Sequence, residues 1–322
     1  MPAPSSSLAS LRPDLAESLM EFDFASDQAR YIGHLVFPVV PVQKQAGNFG
    51  KIPVEQLLKQ ASTARAPGSG YSRGNWTFEP GTYNCEEHGH EEVVDDREAE
   101  MYSDYFDAEL VSAMRAQATV LRNYEQRVAD AVFNTTTYTP TPVTNEWDDA
   151  TNATPIEDVE SRVQAIYDAS GLWADTLIIS QKVFRNLRSV NQIINRITAS
   201  GAGNPAKAED VTTAMLSAVF NLPKILVGGG TKNTANEGQT FAAAEIWSGE
   251  YASVCKTSDS QDFKDPCIGR TFHWAQDGST PTAIVETYRD ESVRGDVVRS
   301  RHDTDEVTLY SSAVALLSNI TA

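Results

Sequence analysis

Residues 95–133 read DDREAEMYSDYFDAELVSAMRAQATVLRNYEQRVADAVF, a stretch without proline or glycine. Its apolar side chains recur at helical spacing: Phe106, Leu110, Ala113, Leu121, Tyr124, Val128 and Val132 share one stripe, interrupted by the polar Gln117. The spacing predicts one long helix of roughly 55 Å. Asp95 is placed as its N-cap with Glu98 three residues on, the pattern of a capping box. Leu110 and Leu121 are expected to face strands of the same body, so truncating either would remove core packing.

Just upstream, YNCEEHGHEE at 83–92 raises the question of a metal. Cys85 and His88 have C-x-x-H spacing and His90 follows two positions later. A structural zinc needs four ligands, and a second pair at comparable spacing is not in view: Cys255 and Cys267 stand twelve apart, and His34, His273 and His302 are isolated. The competing reading is a solvated polar strand entering a helix, because Glu91, Glu92, Asp95 and Asp96 gather where the helix dipole is positive. No catalytic, cofactor-binding or metal site is therefore assigned. The GGGTKN at 228–233 is not a phosphate loop, since Lys232 is followed by asparagine and the required glycine is missing.

The chain of 322 residues is 41% hydrophobic and 9% aromatic, enough for a sizeable core. Its 26 basic against 44 acidic residues give a formal charge of −18, which opposes a surface that grips a phosphate backbone. Sequence-specific nucleic-acid binding is not expected. The N-terminus lacks a basic and apolar leader, and the longest apolar run, YIGHLVFPVVPV from Tyr31, is too short and proline-rich to span a bilayer. The reading is a soluble protein without an export signal or membrane partner, its odd number of cysteines fitting a reducing compartment.

Organisation along the chain is uneven. Residues 1–30 carry Ser, Pro and Ala with sparse apolar anchors and read as an arm. Residues 31–94 are short apolar runs broken by Pro and Gly, with a helical turn around VEQLLKQA, a flexible turn at Gly68 to Gly70, and a strand through Trp76 and Phe78. After the helix, a Thr- and Pro-rich crossing leads into alternating elements. PIEDVESRVQAIYDASG, QKVFRNLRSVNQIINRI and KAEDVTTAMLSAVFNL read as helices, ADTLIIS and PKILVGGG as short apolar strands. From Phe241 the chain returns to strands, closing with PTAIVETYRDESVRGDVVRSRH paired against DEVTLYSSAVALLSN. The fold class is α+β.

This order of elements resembles the major capsid protein of tailed bacteriophages. The pieces that carry it are YNCEEHGHEEVVDDREAEMY entering the helix, ADTLIISQKVFRNLRSVNQI, and the terminal VRGDVVRSRHDTDEVTLYSSAVALL. The resemblance implies an N-terminal arm at 1–30 and an extended loop at 31–94. It also implies a peripheral domain with a long spine helix at 95–140 and 270–322, and an axial α/β domain at 141–269. It further implies self-assembly into hexamers and pentamers of an icosahedral head shell, with a portal and a scaffolding protein as partners. DNA would be enclosed without sequence-specific binding, and the subunit would reside in the virion after assembly in the host bacterial cytoplasm. Because only residues 1–30 precede the first loop strand, scaffolding is expected from a separate protein or none. Gly68, Gly70, Tyr71, Trp76 and Phe78 are the expected inter-subunit contacts. A bacterial nanocompartment shell of the same fold would read almost identically, and a metal-dependent enzyme built on the α/β region is the other alternative.

Overall fold

The computed structural model describes residues 30–51, 53–75, 77, 79–103, 107–199, 211–261, 265–276 and 278–321. The arm expected at 1–30 falls outside the described residues except for Arg30, as do Phe106, Trp76 and Phe78.

The proline- and glycine-free stretch folds as two helices rather than one. Helix α1 runs Asp96–Tyr102 and helix α2 runs Ala108–Val132. Asp95 caps the first, accepting from the Arg97 amide at 2.8 Å. The break has a local cause: Asp107 acts as a second cap, its carboxylate accepting from the Glu109 and Leu110 amides. A capping aspartate satisfies orphan amides that a continuous helix would have bonded to its own carbonyls, so the chain restarts there. The second helix is then about 37 Å long. Its buried face is Ala116, Ala118, Val120, Tyr124, Glu125, Val128, Ala129 and Val132. Leu110, expected in the core, is 53% exposed, and Leu121 is partly buried against the core. Gln117, the break in the stripe, is satisfied by donating to the Thr282 carbonyl at 2.9 Å.

Two five-stranded sheets organise the rest. The first is built on β13 (Gly295–Thr308), a 14-residue strand. It pairs antiparallel with β4 (Glu86–Asp95), β12 (Ile284–Asp290) and β11 (Gly269–Trp274), and β1 (Val39–Val42) adds to β11 in parallel. Helix α2 packs across β13 and β4. The second sheet has the order β5 (Thr141–Pro142), β14 (Val314–Ser318), β10 (Ala252–Cys255), β6 (Thr176–Ser180) and β7 (Lys224–Gly228), while β8 (Thr231–Asn233) and β9 (Ala243–Glu245) pair with each other. Residues 305–319, expected to pair with 281–302, thus divide. The first part completes β13, and the last five described strand residues cross into the second sheet to lie against β10.

Strand β6, TLIIS, is buried at all five positions because its sheet is covered on both faces. Leu177 and Ile179 point into one core with Trp147, Ile166, Ile193 and Leu216. Ile178 points the other way, into a core with Phe37, Val128, Val132 and Trp247. Alternate side chains of one strand therefore tie both cores together. Helix α3 (Pro155–Ser170) covers the first face, starting at a proline and ending at Gly171, whose φ of +68° is the left-handed cap conformation. The segment expected as one helix from Gln181 is two, Gln181–Leu187 and Asn191–Ala199.

Candidate functional site

The feature that projects from the body is the excursion between β2 (Ala46–Lys51) and β3 (Glu79–Asn84), which pair antiparallel from Ala46 opposite Asn84 to Lys51 opposite Glu79. The base of this ribbon is anchored. Phe49 and Tyr83 both pack on Phe272, Tyr83 stacked at 4.7 Å between ring centroids and Phe49 tilted at 5.4 Å. Lys51 donates to the Leu309 carbonyl at 2.9 Å, and its ammonium lies over the Tyr310 ring and near Glu79. The Asn84 amide donates to Asp305.

Beyond that base Leu58 touches the body at Gly171, and the tip makes its hydrogen bonds within the excursion. Hydrogen bonds drawn among the described residues 53–75 and Thr77 stay within the excursion: Gln56 to Thr77, Arg65 to the Ser69 carbonyl at 2.7 Å and to the Tyr71 hydroxyl, and Ser69 to the Ala66 carbonyl. Arg65 also stacks on the Tyr71 ring, 4.7 Å from its centroid. These contacts shape the tip without attaching it. Gly68 sits at φ +86°, a conformation that favours glycine, and Gly68, Gly70 and Gly74 have no atom within 4 Å of where a Cβ would stand. Tyr71 is 73% exposed.

The metal-ligand candidates are dispersed by strand geometry. Cys85 is buried where the ribbon joins β4, its thiol directed at the Phe272 carbonyl, and burial pushes that thiol up to about 11. His88 lies across from His302, and His90 lies on the same strand face as His88 but faces Glu92. Among the described residues no group of three His, Cys, Asp or Glu side chains is placed to hold a metal ion.

The sheet beneath carries a charge array that the sequence reading missed. Arg299 and Arg301, two apart on β13, both grip Glu286 of β12 at 2.6 and 3.0 Å, and reach Glu91 and Glu87 of β4 on the other side. The Arg301 and Arg299 hydrogen bonds hold the Glu286 carboxyl down at about 2. The signal was present as period-two charge along the two runs, but only the register shows which charges meet. On the opposite face His302 is enclosed: Nδ1 donates to the Pro281 carbonyl and Nε2 accepts from Arg127 at 3.3 Å, which fixes a neutral ring. Burial, and then the Arg127 charge, pull its pKa down to about 4. Arg127 in turn pairs with Glu306 at 2.8 Å.

Glu125 was also missed. It is fully buried in helix α2 and accepts from the Ile32 amide at 2.8 Å, the Gly33 amide at 2.7 Å and the Trp247 indole at 2.6 Å. Burial raises its pKa, and the three donated hydrogen bonds act against that rise. One carboxylate thereby fastens the start of the described chain and the Trp247 segment onto the helix.

No family model matches the chain. The major capsid protein of Burkholderia phage BcepMu is 26% identical over 207 residues, spanning 62% of this chain and 64% of that protein, less than two thirds of the relative's own length. Among solved structures, a phage-related protein from Bordetella bronchiseptica RB50 superposes with a TM-score of 0.65 at 22% identity, covering 96% of both chains. The capsid of cyanophage P-SCSP1u gives a TM-score of 0.57 at 12% identity over 88% of this chain and 86% of that one. The encapsulin SrpI of Synechococcus elongatus PCC 7942 gives 0.50 at 9% identity over 93% and 90%. This chain has the capsid fold that these structures share, as the order of its elements had suggested.

Proposed function

We propose that this chain is the major capsid subunit of a tailed phage, a structural rather than catalytic protein that assembles with copies of itself into the head shell. The observation that carries the reading is the excursion: a chain with the capsid fold extends a segment on an anchored ribbon, and among the described residues the hydrogen bonds of its tip are its own. Ordering so exposed a segment costs conformational entropy that an isolated subunit recovers poorly, and a neighbouring copy would supply the missing contacts. Gly68, Gly70, Tyr71, Trp76 and Phe78 are the contact residues of this proposal. The domain division follows from it: arm 1–30, extended loop 31–94, peripheral region 95–140 with 270–322, axial region 141–269. So do hexamers and pentamers, a portal and a scaffolding protein as partners, DNA enclosed by a shell whose subunits' charge of −18 each disfavours adhesion, and assembly in the bacterial cytoplasm.

The likeness to an encapsulin supports a second reading, a nanocompartment shell. Electron microscopy of the purified chain separates the two by particle size and contents, a co-purifying protein cargo favouring the compartment. Removing the Gly68 to Gly74 tip, or replacing Trp76 and Phe78 with Asp, is expected to leave a soluble subunit that forms no closed shells. Closed shells from these variants would overturn the reading. Replacing Cys85, His88 and His90 with Ser and Asn is expected to leave assembly intact, and one equivalent of zinc per chain in the parent would revive the metal alternative.

A further inference from the structure

On the way to its tip, the excursion meets the body of its own chain through an apolar side chain. Leu58, just past the helical turn Val54–Leu57, lies over Gly171, close enough that a Cβ there would collide with its Cδ1. The missing side chain of Gly171 is therefore a notch as well as a helix cap. Tyr167 and Trp173, which flank Gly171 in the sequence, stack at 4.3 Å and are 40% and 58% exposed. Leu58 fills the notch incompletely, remaining 62% exposed, and its amide bonds the Val54 carbonyl of its own turn.

We propose that this notch is an assembly seat, occupied in the shell by Leu58 of a neighbouring copy and in the free subunit by the chain's own Leu58. The inference rests on the shell reading above. Its occupant is identified by the contact already made. The seat accepts this side chain in this chain, so the same side chain from an identical copy fits it equally, the logic by which an exchangeable element turns an internal contact into one between subunits. Among the described residues, the side-chain hydrogen bonds that tie the excursion to the body lie at its ribbon base, so Leu58 can leave the seat without breaking one of them. The aromatic pair beside the notch offers a neighbour the kind of rigid, amphipathic surface that interfaces favour.

The test uses the full chain carrying Lys59→Cys and Ala169→Cys, exposed positions next to the occupant and the notch that leave Leu58 and Gly171 in place, treated with a short bismaleimide before and after assembly. The three native cysteines are buried and give a low background. Free subunits are expected to cross-link within the chain and particles to give a ladder of cross-linked multimers. Particles that cross-link only within the chain, or not at all, would overturn the seat while leaving the shell reading intact. Absence of particles from the parent chain would instead overturn the shell reading. As a second arm, Gly171→Asn fills the notch with a residue that tolerates the left-handed conformation. It is expected to lower the subunit's melting by no more than a few degrees and particle yield at least roughly tenfold, with partial rescue of yield by adding Leu58→Ala. Parental yield from Gly171→Asn refutes the proposal.

Discussion

Replacing Glu125 with alanine should be among the most damaging single changes in helix α2, and its size can be worked from three contacts. The carboxylate accepts from Ile32, Gly33 and Trp247 at 2.6 to 2.8 Å in a site with no solvent exposure. Glu125→Ala leaves those three donors buried without an acceptor, at about 1–3 kcal/mol each, so a loss of roughly 6 kcal/mol is expected. Alanine is the best helix former, so helix propensity offsets rather than adds to the loss. Against a total stability of about 5–15 kcal/mol, this should leave little folded subunit. Glu125→Gln is the graded control. Its carbonyl can replace one carboxylate oxygen, but its NH2 then faces a donor, so about 1–3 kcal/mol should go. Urea unfolding followed by tryptophan fluorescence reads both, with Trp247 as a local reporter. If Glu125→Ala unfolds within about 0.5 kcal/mol of the parent, the carboxylate does not fasten the chain start and the Trp247 segment to the helix, and the reasoning fails.

Two further outcomes follow from the same contacts. His302 has a folded pKa near 4 against an ordinary 6.5, so the unfolded chain binds the extra proton between those values. Its contribution is complete above pH 6.5 and is lost as pH falls toward 4, on the order of 3 kcal/mol in all, so His302→Asn should flatten the urea-midpoint profile across that window. An equal slope in parent and variant would refute the enclosed neutral ring. Val128→Ala, at a fully buried site, should cost about 2 kcal/mol, whereas Leu110→Ala, half exposed, should cost under about 0.5; the reverse ranking in thermal melts would show the buried face misassigned.

Local features were legible in the sequence because their causes are local. Asp95 caps the helix that follows it, Pro155 and Gly171 bound theirs, and the apolar run at 176–180 is a strand. The Gly- and Pro-rich stretch before Asp95 contains the ribbon and its bare tip. Each follows from residues a few positions apart, through a side chain satisfying a nearby amide, a φ only some residues adopt, or an apolar run of strand length. The order of such elements was enough to suggest the fold.

The tertiary structure decided what depends on distant partners. Leu110 continues the apolar stripe in the sequence, yet the core covers the helix only from Ala116 onward and leaves Leu110 outside. Glu125 reads as a surface charge in the sequence, and its burial depends on donors more than ninety positions away. Residues 314–318 are apolar enough for either sheet, and they join the second because pairing with β10 and β5 buries them between two cores. Periodicity tells a strand which side chains to hide but not which neighbour will cover them, because strand register and sheet membership are fixed by long-range pairing.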